Sequence, residues 1–322
     1  MKLLYGVVAA LGLLTGNALA QTNWPTGPVR ILVGFTAGTA PDVAARILAD
    51  KFSDAWGKPV IVENISGAGG NLACDRVAKA PPDGYTLVMC GNGSLVMAPS
   101  LYERLPYDPV KDFAPISQVF VANNILVVHP DVPAKNVAEL VALARAHPGE
   151  LNYGHTGAGT SQHLAGELFK SMAKVSITPV AYRGTTALLP DLLAGRLTMA
   201  FSNIINTLPL VRDGKLRAFA VTSRKRTALA PDLPTMDELG YTGYEAVPWF
   251  GLMAPAGTPQ PIIDKIYAET IKWLGTPDVH KKFEIQGLDV IANSPAEFLA
   301  AIKTETPYWA KVIKEAGIKA HD

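Results

Sequence analysis

Apolar positions along this chain follow two alternating spacings. Short solid runs predict buried strands, and stretches with apolar residues three and four apart predict helices. Residues 29–33, Val-Arg-Ile-Leu-Val, read as the first strand. A loop over 34–41 leads into a helix over 42–55, whose apolar stripe is Val43, Ile47, Leu48 and Phe52. Asp42, just after Pro41, is expected as its N-cap. Gly57-Lys58-Pro59 stops the helix, and residues 60–62 form the second strand. The glycine-rich turn 66–71 opens a helix running to about residue 79. Pro81-Pro82-Asp83-Gly84 then turns the chain into a strand over 85–89. This βαβαβ order predicts a mainly parallel sheet flanked by helices.

The pattern resumes in the middle of the chain. Strands are expected over 124–128, 152–154, 177–180, 199–201 and 215–222, with helices over 137–146, 162–172 and 186–194 between them. The tail reads as three amphipathic helices, 260–274, 277–286 and 295–316. With little strand content it cannot complete a sheet alone, so it is expected to pack back on the first unit.

The first twenty residues change the picture. Lys2, the apolar stretch 3–14 and Asn17-Ala18-Leu19-Ala20 make a charged start, an apolar core and a small-x-small cleavage site. The apolar core falls short of the ~20 residues that span a bilayer. Residues 1–20 are therefore expected to be a cleaved export signal, with the mature chain starting near Gln21. No Cys follows the cleavage site, so no lipid anchor is expected.

The 322 residues are 48% hydrophobic and 18% charged, with formal net charge +1. That size suits two domains, and near-neutral charge argues against nucleic acid as a partner. Arg224-Lys225-Arg226, the longest basic run, reads as a solvated loop. Cys74 and Cys90 match no zinc spacing. In an oxidising compartment they are either a disulfide or two buried thiols, and both readings stay open.

Candidate chemistry lies in loops of one kind: strand, glycine-rich turn, helix N-terminus. Residues 34–42, 67–71 and 154–161 have this form, and Gly91-Asn92-Gly93-Ser94 resembles it. Glycine lets backbone N–H groups approach a ligand, and a helix N-terminus presents donors with positive partial charge. Together they suit an anion gripped from two sides. There is no P-loop, no dinucleotide fingerprint and no Gly-x-Ser-x-Gly. Thr160 and Ser161 near His163 read as caps or ligand contacts. His163 with Glu167, and Asp42 with Arg46, read as ion pairs or packing along a helix. Neither a metal, a cofactor nor a catalytic residue is expected.

The chain resembles the Bug family, extracytoplasmic solute receptors of tripartite tricarboxylate transporters. The likeness rests on ordered strings along the mature chain. Phe35-Thr36-Ala37-Gly38 leads into Asp42-Val43-Ala44-Ala45-Arg46, and Glu63-Asn64 into Gly67-Ala68-Gly69-Gly70-Asn71. Further matches are Pro82-Asp83-Gly84-Tyr85-Thr86, the run 159–167, Tyr182-Arg183-Gly184, 191–195 and 214–218. Leu233-Pro234-Thr235-Met236, Trp249-Phe250-Gly251-Leu252 and 254–259 complete the set.

The resemblance implies an α/β fold of the periplasmic-binding-protein type II kind, with two domains around a central ligand cleft. Domain 1 would comprise 21–122 plus 248–322, and domain 2 would comprise 123–247. It implies a periplasmic monomer that binds a small carboxylate, di-, tri- or aromatic, and transiently meets membrane permease subunits. Carried onto this chain, the binding residues would be Phe35, Gly38, Thr39, Asp42, Gly69, Gly70, Asn71, Ser94, Gly157, Gly159, Thr160, Ser161 and Asn203. Four departures from the family pattern are visible. Thr39 replaces a second glycine, Pro41 a small hydroxyl residue, Ile65-Ser66 an Arg-Pro, and Ser202-Asn203 an Asp-Asn. The last removes a partner for a ligand ammonium and tilts expectation away from amino acids. A loop that needs glycine geometry would strain a β-branched residue, so either the loop tolerates Thr39 or its hydroxyl contacts the ligand, and the contact is expected. An orphan sensing receptor, or an exported hydrolase or isomerase using the same cleft, is the alternative.

Overall fold

The computed structural model describes residues 23–318, apart from Ala158 and Arg183. The expected export signal lies outside the described residues. The first elements are β1 (Val29–Val33), α1 (Ala40–Trp56), β2 (Val60–Asn64), a 3-10 turn (Ala68–Gly70) and α2 (Asn71–Ala78). Then come β3 (Thr86–Gly91), a π-helical turn (Gly93–Met97), α3 (Ala98–Leu101) and β4 (Phe113–Ala122). The middle of the chain is β5 (Asn124–Val128), α4 (Val137–Ala146), β6 (Asn152–His155), α5 (Ser161–Ala173), β7 (Thr178–Ala181), α6 (Thr185–Leu193), β8 (Met199–Asn203), α7 (Ile204–Arg212) and β9 (Arg217–Val221). The chain ends with β10 (Trp249–Pro255), α8 (Gln260–Leu274), α9 (Pro277–Ile285), β11 (Leu288–Val290) and α10 (Pro295–Ala316).

These strands build two sheets, in the orders β11-β4-β10-β3-β1-β2 and β7-β6-β8-β5-β9. In the first, β1 is parallel to β2 and β3. Strand β10 runs antiparallel between β3 and β4, and β11 is antiparallel to β4. The expected mainly parallel sheet is thus a mixed one. In the second, β6 is parallel to β7 and β8, and β5 is antiparallel to β8 and β9.

The tail departs most from expectation. It supplies β10, buried along its whole length in the middle of the first sheet. A solid apolar run has no period of two, because both faces of a central strand are covered. Strand β4 was likewise not anticipated. It carries Pro115, and its pairing with β10 shifts register between Leu252 and Met253, where Pro115 faces Met253. Proline lacks the N–H of a regular ladder and is tolerated at such irregularities. A Cβ on Gly251 would lie 2.3 Å from the Phe298 ring, so this glycine lets α10 lie directly on β10. Helix α10 also packs on α5, beside the second sheet.

Helix α1 begins two residues earlier than expected, with Thr39 as N-cap and Pro41 in the first turn. Proline suits that position because the first N–H groups have no intrahelical partner. The chain passes from the first sheet to the second at Asn123, whose carbonyl accepts from the Ile204 N–H at 2.9 Å. It returns between β9 and β10. The Ala246 N–H reaches the Thr222 carbonyl at 3.0 Å and the Ala122 N–H the Pro248 carbonyl at 2.8 Å, so the two crossings run side by side.

Cys74 and Cys90 form a disulfide that ties α2 to β3, with Cα atoms 6.4 Å apart. Among the described residues, no helix is long and apolar enough to cross a membrane.

The bridged residues are 16 positions apart, and closing a loop of that length in the unfolded chain is worth about 3 kcal/mol. The Cys74→Ala/Cys90→Ala variant should lose about that much in urea unfolding. An unchanged midpoint would show that the bond contributes no stability.

Candidate functional site

The first loop follows β1 and the second follows β2, and they touch through glycine. A Cβ on Gly34 would sit 2.5 Å from the Gly70 Cα. Gly70, at φ +100°, leaves space that a Cβ would fill to 3.1 Å from both the Phe35 ring and the Ser94 hydroxyl. Phe35, Gly70 and Ser94 therefore meet at one point. The Ser94 hydroxyl donates to the Gly69 carbonyl at 3.3 Å. The buried Tyr107 hydroxyl fixes this corner from behind, reaching Asn71 Oδ1 at 2.8 Å and the Ser94 carbonyl at 2.9 Å. Asn71 is thus engaged with Tyr107 through its carbonyl oxygen. A cavity of about 360 Å³ lies behind this corner, lined by Leu95, Tyr102, Tyr107 and Thr306 among others. None of the candidate site residues lines it.

Asp42 anchors the first loop. Its Oδ2 accepts from the Gly38 N–H at 2.8 Å and from Arg46 Nε at 3.1 Å. Its Oδ1 faces Arg46 Nη2 at 2.9 Å and accepts from Asn64 Nδ2 at 2.8 Å. Four donors fill the acceptor positions of a carboxylate, so Asp42 is neither the helix cap nor a free ligand contact. Burial opposes its charge, but the hydrogen bonds from Arg46, Gly38 and Asn64 outweigh it and hold the carboxyl below its usual range. Asn64 Nδ2 also reaches the Phe35 carbonyl at 2.9 Å, which ties the loop to the end of β2.

The loop accommodates Thr39 without strain. Its φ of −79° and ψ of 160° are ordinary extended backbone. The left-handed residue is Gly38, at φ +81°. The Thr39 hydroxyl donates to the Thr36 carbonyl at 2.7 Å.

The opposing loop lies between β6 and α5. Gly157 and Gly159 take φ of +130° and +74°. Thr160 caps α5: its hydroxyl donates to the Gly157 carbonyl at 2.8 Å and accepts from the His163 N–H at 3.4 Å. A Cβ on Gly159 would lie 2.3 Å from Leu101 Cδ1, and one on Gly93 would lie 3.7 Å from the Gly159 carbonyl. Loops from the two sheets are therefore in contact here. Asn203 caps α7, accepting from the Ile205 N–H at 3.0 Å. It sits opposite Asn124 in the β5–β8 register. Buried Asn124 donates through Nδ2 to the Ser161 hydroxyl at 3.3 Å.

His163 and Glu167 are not an ion pair. Glu167 is bound by Lys170 at 2.7 and 2.8 Å and by the Tyr153 hydroxyl at 2.7 Å. His163 Nδ1 instead accepts from the Gly159 N–H at 3.2 Å and so holds the glycine loop. Its ring stacks on His155, with centroids 4.1 Å apart. Burial, then the neighbouring His155 and Lys170, push the His163 imidazole down to about 3. Burial also lowers His155. Both rings are neutral at neutral pH, and His163 has its acceptor nitrogen on Gly159 instead of on Ser161. The pair therefore lacks the nucleophile–base contact of an acyl-transfer site.

The structure thus gathers Phe35, Gly69, Gly70 and Ser94 on one side, and Gly157, Gly159, Thr160 and Ser161 on the other, with Asn203 at the edge. Sequence reasoning placed Gly34 in its candidate loop but did not single out Leu101 or Asn124, which the structure brings to these loops. The polar Asn123-Asn124 pair before a solid apolar strand was the readable signal for Asn124. Arg183 and Ala158 lie outside the described residues. The cations that structure this region are committed, Arg46 to Asp42 and Lys170 to Glu167. An anion here would face backbone N–H groups and the helix N-termini of α1 and α5. Among the described residues, no cluster of three His, Cys, Asp or Glu could hold a metal.

Comparison with known proteins finds the following likenesses. The model of the tripartite tricarboxylate transporter family receptor matches residues 44–318. Protein BugT of Bordetella pertussis is 33% identical over 319 residues, covering 97% of this chain and 98% of BugT. The structure of Rpa4515 of R. palustris with adipate superposes with a TM-score of 0.84 at 36% identity, over 92% of this chain and 100% of that one. MatC of Rhodopseudomonas palustris with bound malate gives a TM-score of 0.79 at 32% identity, over 90% and 100%.

The unfolded chain binds a proton at His163 near pH 6.5, and the folded chain binds it only near pH 3. Stability from the neutral ring is therefore complete above pH 6.5 and drains as the pH falls toward 3. Between pH 6 and 4, His163→Gln should flatten the fall in unfolding free energy by up to one proton, about 1.4 kcal/mol per pH unit. Identical slopes in urea titrations of both proteins would remove His163 from this role.

Proposed function

Since this chain belongs to the family of tripartite tricarboxylate transporter receptors, we propose that it captures a small carboxylate, such as a dicarboxylate, outside the cytoplasm. It then delivers that ligand to the membrane permease subunits of the transporter. The observation that carries this reading is the Gly93-Ser94 turn of the first sheet, which meets Gly70 on one side and the Gly159 loop of the second sheet on the other. The loops over residues 67–70 and 157–160 lead into the N-termini of α2 and α5, so the site would offer backbone donors to an anion from two directions. The adipate and malate held by two similar structures support a carboxylate. Residues 1–20 would direct export to the periplasm. Ser161 receives Asn124 Nδ2 and has no imidazole base, which favours binding over catalysis.

In this reading, residues 21–122 with 248–322 form one domain and 123–247 the other. They would close on the ligand about the paired crossings near Asn123 and near 245–248. Small-angle scattering should then give a smaller radius of gyration with saturating ligand. An unchanged value, with binding established separately, would mean that the cleft is closed beforehand.

The direct test is a thermal-shift and calorimetric screen of succinate, malate, adipate, citrate and benzoate. Binding restricted to the folded state raises the melting temperature. Gly70→Ala should weaken that binding by at least about tenfold, because its Cβ would meet Phe35 and Ser94 at 3.1 Å on a backbone L residues rarely adopt. The reading fails if no carboxylate binds. The assignment of Gly70 fails if the folded variant binds as well as the wild type.

A further inference from the structure

Among the candidate-site residues described above, Asn124 is a buried polar residue that the fold leaves incomplete. It opens β5 and is fully buried. Its backbone carbonyl accepts from the Thr222 N–H at 3.0 Å and the Thr222 hydroxyl at 3.2 Å, so the strand is held firmly at this point. One arm of its planar amide, Nδ2, donates to the Ser161 hydroxyl, directly after the Thr160 cap and the glycine loop. The other arm, Oδ1, is buried with no hydrogen-bond partner. Buried polar atoms nearly always have partners, and exceptions at a site point to a missing donor. Asn203, across the ladder, cannot supply one through its own carbonyl oxygen, which is a second acceptor and already caps α7.

We infer that Asn124 contacts the ligand and accepts a hydrogen bond from a hydroxyl on it, so that the site selects hydroxycarboxylates over analogues lacking that hydroxyl. This rests on the carboxylate-receptor reading above. The division of labour follows from donor and acceptor counts. Ser161 accepts from Asn124, which leaves its own hydroxyl proton to donate to a carboxylate. A carboxylate offers only acceptors and cannot complete Oδ1, whereas an adjacent hydroxyl can. An ammonium is also a donor, but it would bring a positive charge needing a counter-charge. Asp42 and Glu167 are already committed to Arg46 and Lys170. Ser202, which precedes Asn203, is uncharged. A neutral hydroxyl beside the carboxylate fits both constraints.

The test uses pairs that differ by one hydroxyl: malate with succinate, 2-hydroxyglutarate with glutarate, and lactate with propionate. Calorimetry on the wild-type chain should give at least one pair in which the hydroxy acid binds about tenfold tighter, ~1.4 kcal/mol. Asn124→Leu, branched alike but without the acceptor, should bring that ratio close to one, since loss of the Nδ2 bond to Ser161 weakens both members alike and cancels in the ratio. Near-ultraviolet circular dichroism and the melting temperature check that the variant is folded. If it does not fold, the wild-type ratios decide alone.

Three results overturn the proposal. The first is wild-type binding of carboxylates with no preference for the hydroxylated member of any pair, as when an ordered water completes Oδ1. In the second, the preference survives in folded Asn124→Leu. In the third, both members lose affinity equally, which would mean that a turned amide holds the carboxylate through Nδ2. A wild-type chain that binds none of these acids, nor adipate, citrate or benzoate, defeats the receptor reading itself.

Discussion

A Cβ on Gly34 would lie 2.5 Å from the Gly70 Cα, and that contact sets the spacing of the two loops on the first sheet. Main chain approaches main chain there with no side chain between them. Neighbouring parts of the site depend on the same closeness. The Phe35 ring and the Ser94 hydroxyl converge on Gly70 because nothing projects from it. Asp42, saturated by four donors, and Asn64, bridging to the Phe35 carbonyl, hold the first loop against the second. On the second sheet's side, Gly159 lies against Leu101 with no room for a side chain.

A site built from backbone has an electrostatic consequence. The named cations of the region are spent on neighbouring carboxylates, and the two stacked imidazoles are neutral because burial opposes their charge. In the proposed function, attraction for an anion would come from oriented N–H groups and helix N-termini. Such groups would be in place before a ligand arrives and would bring no mobile counter-charge to displace. His163 contributes by orientation: its acceptor nitrogen holds the Gly159 N–H, and its ring leans on His155.

The parts that join the two sheets are equally economical. Adjacent crossings share hydrogen bonds with each other, and the second sheet is tied to Asn123 through Ile204 and to Asn124 through Thr222. The last helix lies on β10 through Gly251 and Phe298 and also reaches α5. The Trp249 indole N–H, at the start of β10, meets both carboxylate oxygens of Glu305 on that helix at 3.0 and 2.9 Å. Displacement of one sheet relative to the other would therefore be felt by this helix.

Much of this was legible in the chain itself. The strands and helices around Phe35, Gly70 and Thr160 follow from apolar spacing and from proline and glycine punctuation, because local backbone preferences dominate there. Ordered family strings carried the rest of the fold class. The tertiary structure alone decided what depends on neighbours distant in sequence. Strand β10 is a solid apolar run whose identity comes from lying between β3 and β4. Thr39 looked strained from its place beside Gly38, yet the helix starts early enough to give it ordinary backbone angles. His163 and Glu167 are one turn apart, but Gly159 and Lys170 claim them because those partners are closer in space. Cys74 and Cys90 were two open readings until α2 packed on β3. Asn124 stood out only once burial was known, since an unpaired acceptor is a property of its surroundings and not of its place in the chain.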